Sequence, residues 1–245
     1  MADALNSTLQ ALASHSSVRD FTPEPVSEEQ RLAILEAARA ASSSCFLQAT
    51  TVIRVTDPEK RTAFARLSGN QKHIETAPEF WVFCADYHRD SRMMADPADL
   101  GWTEQLIVAC TDAAIMAQNA FAALESLGLG GVYAGGIRNA IEEADRLLAL
   151  PENVFPVVGL AFGHPASKNE LKPRLPKEIL FCENEYREAG AEELAAYDRV
   201  MENYYANRKK NPRKGNWTGD IARILTKERR PFILDYLRKK GFALK

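Results

Sequence analysis

Four segments of the chain combine residue types that suit a bound anion or a flat ligand. The first runs His15-Ser16-Ser17-Val18-Arg19, after a short N-terminal helix and before a proline-rich turn. An arginine with neighbouring serine hydroxyls in a loop can hold a phosphate through charge-assisted hydrogen bonds. A solvated surface loop is the alternative interpretation of the same residues.

The second segment is Lys172-Pro173-Arg174, in which two cations flank a proline. The residue before a proline is restricted to extended geometry, and side chains two apart in an extended chain share a side. Two cations that converge on one spot require an anion there. The alternative is again an exposed loop.

The third segment is rich in glycine, from Gly128 through Gly130 and Gly131 to Gly135 and Gly136. Its spacing does not match the dinucleotide-binding fingerprint, and it follows a helix, whereas that fingerprint follows a strand. Glycines do let a backbone approach a flat ligand closely. A helix cap and turn would account for Gly128 but gives no structural reason for Gly135 and Gly136.

The fourth segment, residues 208–230, holds nine basic and two acidic residues in a chain whose net charge is −2. Such a patch either binds a phosphate or forms a solvated helix face. RNA binding favours aromatic side chains among the cations, and Trp217 is the one aromatic residue nearby. Because the chain as a whole is nearly neutral, we expect neither nucleic acid nor a membrane as a partner.

Motifs for a metal or a protein nucleophile are missing from the sequence. The four histidines are scattered, no two of the four cysteines form a CxxC pair, and no P-loop, GxSxG or HExxH pattern occurs. We therefore expect no metal and no catalytic side chain, and infer that a bound cofactor carries the chemistry.

The cysteines and the apolar runs bear on where the protein works. Cys84 and Cys110 lie in apolar runs, where buried free thiols are the ordinary expectation, and free thiols indicate a reducing compartment. The N-terminus lacks the basic-led apolar core of a signal peptide. Residues 106–127 contain Asp112 and Glu125, which we take as too polar for a membrane span. The expected location is the cytoplasm.

Caps, breakers and hydrophobic spacing predict the elements that position these segments. Ser27 and Gln30 form a capping box, and Pro231 should kink or split a helix predicted over residues 218–240. Helix 103–127, apolar on nearly all sides, is expected to be fully buried in a core or a dimer interface. The other predicted helices span about residues 28–41, 58–68, 139–150 and 192–206, and the predicted strands span residues 50–55, 79–87 and 154–162. Strands interleaved with long helices indicate an α+β or α/β arrangement.

Longer segments, taken together, resemble a known family. They are SVRDFTPEPVSEEQR, SSSCFLQ, SGNQKHIETAPEFWVFCAD, AAIMAQNAFAALESLGLGGVYAGGIRN, LKPRLP and KERRPFILDYL. In this order, over essentially the whole chain, they resemble the oxygen-insensitive NADPH nitroreductases of type A, a group that includes the flavin reductase P enzymes. Each segment alone is weak evidence for this resemblance, whereas the whole set in this order is highly specific for the family.

The resemblance implies an α+β fold with a central antiparallel-rich sheet wrapped by helices, in an intertwined homodimer. Residues 1–245 would form a single domain with a basic excursion and a helical C-terminal segment at about 190–245. FMN would be bound at the dimer interface, with NADPH as cosubstrate and the chemistry on flavin N5. The implied activity is reduction of nitroaromatics, quinones or free flavins by paired electrons in a ping-pong cycle.

The resemblance also carries site residues over to this chain. The FMN-binding set is His15, Ser16, Ser17, Arg19, Ser43, Gln71, Tyr133, Gly135, Gly136, Lys172 and Arg174. The NADPH-binding set is Arg138, Arg208 and Arg213. The set around the substrate pocket is Ser43, Cys45, Phe46, Glu104 and Arg230.

Two positions depart from the family pattern. Ser16 stands where the family usually has arginine, which would weaken one phosphate or ribityl contact. Cys45 interrupts a serine run close to the flavin, which would shift substrate preference. Two other function classes stay open at this point: a flavin-binding module without turnover, and an anion- or RNA-binding protein that uses residues 208–230.

Overall fold

Among the residues that the structure describes, four antiparallel strands form the sheet around which the larger part of the chain folds. The computed structural model describes residues 6–96, 98–167 and 169–245, so residues 1–5 of the segment interpreted as lacking a signal peptide lie outside it. The chain divides into two compact units, Met1–Lys168 with Arg230–Lys245, and Asn169–Arg229. The strands of the larger unit are β1 (Thr50–Arg54), β2 (Glu79–Asp86), β3 (Gly130–Ala134) and β4 (Val154–Gly163). Their order is β1-β2-β4-β3 and every neighbouring pair is antiparallel, which confirms the antiparallel sheet.

Helices cover both faces of this sheet. They are α1 (Ser7–Ala13), α2 (Glu28–Arg39), α3 (Pro58–Leu67), α4 (Lys72–Thr76), α5 (His88–Ser91), α6 (Thr103–Ser126), α7 (Ile141–Leu148) and, after the smaller unit, α11 (Ile233–Lys239). Side chains of β2 alternate between two cores: Phe80 and Val82 pack in one with residues of α3 and α4, and Trp81 and Phe83 pack in the other with residues of α2 and α6. This strand is therefore buried on both faces.

The predicted capping box of α2 is confirmed. Gln30 N–H donates to Ser27 Oγ at 3.1 Å, and Ser27 N–H donates to Gln30 Oε1 at 3.0 Å. Both hydrogen bonds satisfy donors that the first turn of a helix leaves without a partner. The helix then ends at Arg39, close to the expected boundary.

Within a single chain, helix α6 is buried on one face only, so the core alone does not cover it, and the expected burial of its other face in a dimer interface stays a prediction. Ala117, Phe121 and Leu124 pack against α2 and the sheet, while the opposite face leaves Ile107 55% and Ile115 38% exposed. Within the described residues, α6 is also the one helix long and apolar enough, by length and composition, to cross a membrane. By composition, therefore, this run is not too polar to span a membrane, and that sequence-based expectation is wrong. Core helices of globular proteins have the same composition, and the packed face of α6 behaves as one.

The glycine-rich segment contains a strand that the sequence reasoning missed. Gly130–Ala134 forms β3, whereas the two interpretations of this segment were a backbone that approaches a flat ligand and a helix cap with a turn. A Cβ on Gly130 would lie 2.6 Å from Val18 Cγ2, and Val18 N–H donates to Gly131 O at 2.8 Å. The glycines therefore let the loop that carries His15 and Arg19 run directly against the edge strand.

The smaller unit is helical and has its own small core. It contains α8 (Lys177–Leu180), α9 (Ala191–Asn207) and α10 (Trp217–Leu225). Tyr197, Met201 and Tyr205 of α9 are buried there beside Trp217. The predicted effect of Pro231 is confirmed, since the helix expected over residues 218–240 is split into α10 and α11, with the proline between them.

Candidate functional site

The glycine pair at the end of β3 lies against the loop that carries Gln71. Gly135 and Gly136 open a 3-10 turn, Gly135–Ala140. A Cβ on Gly136 would lie 2.7 Å from Ser68 O and 2.9 Å from Gln71 Nε2. Only glycine permits this approach, so the structure brings together Gln71 and Gly136, two residues of the predicted FMN-binding set.

Two buried polar atoms of residues that flank Gln71 in the sequence have no hydrogen-bond partner among the described residues. They are Ser68 Oγ and His73 Nε2. Burial lowers the pKa of His73, and the nearby charge of Arg19 lowers it further. Buried polar atoms ordinarily find a partner in a protein or its ligand. Neither Ser68 nor His73 was a predicted site residue, because neither belongs to a motif, and the contact between Ser68 and Gly136 arises only in the folded chain.

His15 is held by a carboxylate from α6. Its Nδ1 lies 2.9 Å from Glu125 Oε1, and its ring meets Phe121 edge-on with centroids 4.9 Å apart. Burial raises the pKa of Glu125, while the His15 charge and hydrogen bonds from His15 and the Ser16 N–H oppose that rise. This contact occupies Nδ1 and fixes the ring, so Nε2 is the nitrogen left to face a ligand.

Tyr133 of β3 belongs to the same neighbourhood. Its hydroxyl donates to Gln118 Oε1 at 3.2 Å, and its ring lies 5.0 Å from that of Phe121. Burial raises the pKa of the Tyr133 hydroxyl, and the Glu125 charge adds to the effect. The phenol therefore stays neutral and acts as a hydrogen-bonding group rather than a base.

Arg138 and Arg230 lie within electrostatic reach of one another. Arg138 donates to Val157 O, and Arg230 donates from Nε and Nη2 to Asn139 Oδ1 at 3.0 and 2.7 Å. Burial lowers the pKa of Arg138, and the Arg230 charge lowers it further. Two cations placed this way favour a negatively charged or electron-rich ligand. Glu104 is exposed in the first turn of α6.

The serine loop before β1 is locked to α6. Ser43 Oγ donates to Asp112 Oδ2 and accepts from Gln48 N–H, each at 2.6 Å, and Ser44 N–H donates to Asp112 Oδ1 at 3.1 Å. Cys45 and Phe46 follow with φ of +49° and +58°, and Phe46 is 79% exposed. Left-handed backbone at consecutive non-glycine residues is strained and is typical of functional loops.

This serine loop lies at the sheet edge opposite the glycine pair. It leads into β1, whereas Gly135 follows β3, and two strands separate β1 from β3. At about 4.8 Å per strand, the two edges are roughly 14 Å apart. Among the described residues, no hydrogen bond or ion pair joins Ser43, Cys45 or Phe46 to Gly135 or Gly136; Ser43 is bound to Asp112 of α6.

A cleft of about 390 Å³ adjoins the serine loop. Its lining consists of Arg39, Ala41, Ser42, Ser43, Leu47, Gln48, Thr50, Arg89, Asp90, Asp112 and Met116. Thr50 Oγ1 and Asp90 Oδ2 are buried there, and neither has a hydrogen-bond partner in the described parts of the chain. The cleft is therefore polar enough to accept a hydrogen-bonding group.

In the smaller unit, three cations surround one aromatic ring. The Tyr205 ring centroid lies 3.7 Å from the Arg213 guanidinium, 5.2 Å from Lys172 Nζ and 5.2 Å from the Arg208 guanidinium. Arg174 lies close enough to Tyr197 for its charge to act on that hydroxyl. Because Tyr197 and Tyr205 share the buried face of α9, the Lys172–Arg174 pair lies along this face.

Residues 6–96, 98–167 and 169–245 contain no group of three potential metal ligands.

Comparison with known proteins shows the family of the chain. The nitroreductase family model matches residues 12–164, and the model of that family's C-terminal domain matches residues 172–245. Over 239 residues the chain is 50% identical to the oxygen-insensitive NADPH nitroreductase of Salmonella typhimurium, covering 98% of this chain and 99% of that one. The crystal structure of nitroreductase A from Vibrio parahaemolyticus is 45% identical, with a TM-score of 0.94 over 99% of this chain and 100% of that one. NADPH:FMN oxidoreductase from Vibrio harveyi, complexed with NAD+, is 42% identical, with a TM-score of 0.92 over 98% and 100%. The chain therefore belongs to the nitroreductase family.

Proposed function

We propose that this protein is an FMN-dependent NADPH oxidoreductase that reduces nitroaromatics, quinones or free flavins. The observation that carries the proposal is the near full-length identity to an oxygen-insensitive NADPH nitroreductase. The name of the Vibrio harveyi relative supports FMN as cofactor and NADPH as cosubstrate. We place the protein in the cytoplasm, without nucleic acid or membrane as partner, because its net charge is −2 and its four cysteines are free.

The larger unit offers a surface that fits FMN. Gly136 brings backbone close to Ser68 and Gln71, and the buried atoms Ser68 Oγ and His73 Nε2 have no hydrogen-bond partner among the described residues. A flavin ring edge carries the carbonyls and ring nitrogens that such a polar surface would satisfy. We assign the ring to this surface, with Tyr133 at its border.

The flavin phosphate requires cations and donors. We assign it to the residues that the family resemblance carries over, namely His15, Ser16, Ser17, Arg19, Lys172 and Arg174. The family resemblance supports this set. In addition, Glu125 holds the His15 ring in place, and Lys172 and Arg174 lie along one face of α9. Charge-assisted hydrogen bonds of this kind contribute about 1.5–3 kcal/mol each.

A homodimer would bring the serine loop of one copy to the glycine pair of the other. The two sites lie at opposite edges of one sheet, and α6 leaves Ile107 and Ile115 exposed on an apolar face. We propose that a second copy packs on this face of α6 and supplies its own Ser43, Cys45 and Phe46 to the flavin pocket. Family membership supports the same assembly.

The electron donor and acceptor use the remaining cations. When bound, FMN supplies the hydride chemistry, taking two electrons from NADPH and passing them to the acceptor. The chain's residues bind and orient: Arg138, Arg208 and Arg213 hold the nucleotide, and Glu104 and Arg230 border the acceptor. No side chain of the protein acts as a nucleophile in this scheme.

Steady-state kinetics test the proposed function. Because donor and acceptor use one pocket in turn, double-reciprocal plots against NADPH at several quinone concentrations should be parallel. Lines that intersect to the left of the axis would show that both substrates bind together. Absence of NADPH oxidation by FMN-saturated protein, with a nitroaromatic, a quinone and free FMN each tried as acceptor, would contradict the activity itself.

A further inference from the structure

The ring of Tyr205 is a platform that holds cations in position. It is 3% exposed at the end of α9, and the Arg213 guanidinium, Lys172 Nζ and the Arg208 guanidinium all lie within 5.2 Å of its centroid. Cations are attracted to the face of an aromatic ring, and an arginine that stacks on a ring has lost side-chain freedom before any ligand arrives.

The loop backbone reinforces this placement. Arg208 Nε donates to Asn211 O at 2.7 Å, and Arg213 N–H donates to Tyr205 O at 2.9 Å. Gly215 has φ +134°, and a Cβ there would lie 2.5 Å from Arg213 Nη1. The chain therefore holds both guanidinium groups at the ring, although Asn211 and Pro212 exclude a helix there.

One carboxylate partly neutralises this cluster. Asp220 accepts from Arg213, from Arg223 Nη2 at 2.8 Å and from the Tyr205 hydroxyl. Burial opposes ionisation of Asp220, but these hydrogen bonds lower its pKa. Arg208, in contrast, forms no salt bridge within the described ranges. Within this cluster, Lys172 and Arg208 therefore have no carboxylate partner. Arg213 does have one, Asp220, which it shares with Arg223.

We propose that Tyr205 and Asp220 set the preference for NADPH over NADH. Tyr205 positions Arg208 for the 2′-phosphate, and Asp220 limits the preference by competing with that phosphate for Arg213. Both are positioning residues, because they act through the arginines. This inference rests on the proposed function, in which Arg208 and Arg213 bind NADPH.

The two nucleotides differ only in the 2′-phosphate, so a residue that acts through this group changes one substrate and not the other. A guanidinium held on a ring loses less entropy on binding than one on a free loop. A carboxylate bound to the guanidinium occupies donors that the phosphate would use. Removal of the ring should therefore lower selectivity, and removal of the carboxylate charge should raise it.

The experiment compares Tyr205→Leu, Tyr205→Phe and Asp220→Asn with wild type, all saturated with FMN. Lys177→Ala is the matched control, since Lys177 is an exposed cation of the same unit and lies outside the cluster. The measurements are kcat and KM for NADPH and NADH, and the Kd of adenosine 2′,5′-bisphosphate by calorimetry. The bisphosphate reports on the phosphate site without turnover.

Tyr205→Leu should lower the NADPH-to-NADH ratio of kcat/KM about tenfold, through KM rather than kcat, as expected when a positioned cation is released. Tyr205→Phe keeps the aromatic ring and should therefore keep most of the wild-type NADPH-to-NADH ratio of kcat/KM. Asp220→Asn should raise the ratio roughly threefold and tighten the bisphosphate Kd by a similar factor, since a surface charge pair is weak. Lys177→Ala should match wild type in both measurements.

The inference is overturned if folded Tyr205→Leu and Asp220→Asn both keep the wild-type ratio and Kd within twofold, or if NADH and NADPH change equally. Should Tyr205→Leu fail to melt cooperatively, Asp220→Asn decides alone: an unchanged ratio and Kd overturns the inference. Failure of the proposed function looks different, because wild-type protein would then oxidise neither nucleotide. In that case the bisphosphate Kd still tests Tyr205 and Asp220 as parts of a phosphate site.

Discussion

At the scale of single residues, most arginines assigned to a ligand already have a protein partner that fixes the guanidinium. Arg230 is held by Asn139, Arg138 by a β4 carbonyl, Arg208 by the Asn211 carbonyl and Arg213 by Asp220. Such contacts lower the entropy lost when a ligand binds. The sequence predicted these arginines through the family resemblance, but not their partners, since Asn139 and Arg230 are 91 residues apart.

The phosphate assignment predicts that Arg174→Ala weakens FMN binding. Loss of a charge-assisted hydrogen bond costs about 1.5–3 kcal/mol, which is roughly tenfold to a hundredfold in Kd. The variant should purify pale and regain activity when FMN is added, whereas Lys177→Ala should purify yellow. Visible absorbance after exhaustive dialysis measures this. Full retention of colour in Arg174→Ala would mean that Arg174 does not contact the phosphate.

Cys45 should not take part in the chemistry. Cys45 is exposed, its backbone is left-handed, and among the described residues no hydrogen bond joins its thiol to a carboxylate or histidine that could act as a base. Cys45→Ser should keep NADPH-dependent turnover and alter only the relative rates with different acceptors. Complete loss of turnover in a variant that still holds FMN would reveal thiol chemistry.

At the scale of elements, strong local signals predicted the fold well and glycine-rich segments did not. The capping box of α2, the split at Pro231 and strands β1, β2 and β4 follow from local residue types. Strand β3 was missed because Gly130 and Gly131 have low strand propensity, and they are glycines because Val18 and β4 approach them closely. Burial of α6 could not be judged either, because an apolar pattern does not tell whether the core or a second chain covers each face.

Helix α6 should carry the dimer interface. Ile107→Glu with Ile115→Glu places two charges on the exposed apolar face, and a buried aliphatic side chain contributes about 1.5–3 kcal/mol. Light scattering should show a shift from dimer to monomer, accompanied by loss of FMN. Val200→Glu, at an exposed position of α9, is the control and should remain dimeric. A double variant that stays dimeric and yellow would place the interface elsewhere.

At the scale of the whole molecule, the chain supplies binding surfaces and no reactive group of its own. Glycines, anchored arginines and a polar cleft lie at separate places in the larger unit, and the cation cluster lies in the smaller one. The sequence predicted most members of this site only through the family resemblance. Ser68, His73, Tyr205 and Asp220 were missed because their roles arise from tertiary contacts. We therefore propose that the protein binds and orients the ligands, and that FMN bound to the dimer carries the electrons.

Anaerobic titration of the FMN-loaded protein tests that claim most directly. Addition of NADPH should bleach the visible flavin absorbance with a single equivalent per FMN, and a subsequent equivalent of quinone or nitroaromatic should restore it. Oxidised nucleotide and reduced acceptor, measured in the same samples, should appear in equal amounts. Absorbance that persists under excess NADPH, with FMN still bound, would contradict the account and identify a flavin-binding protein without turnover.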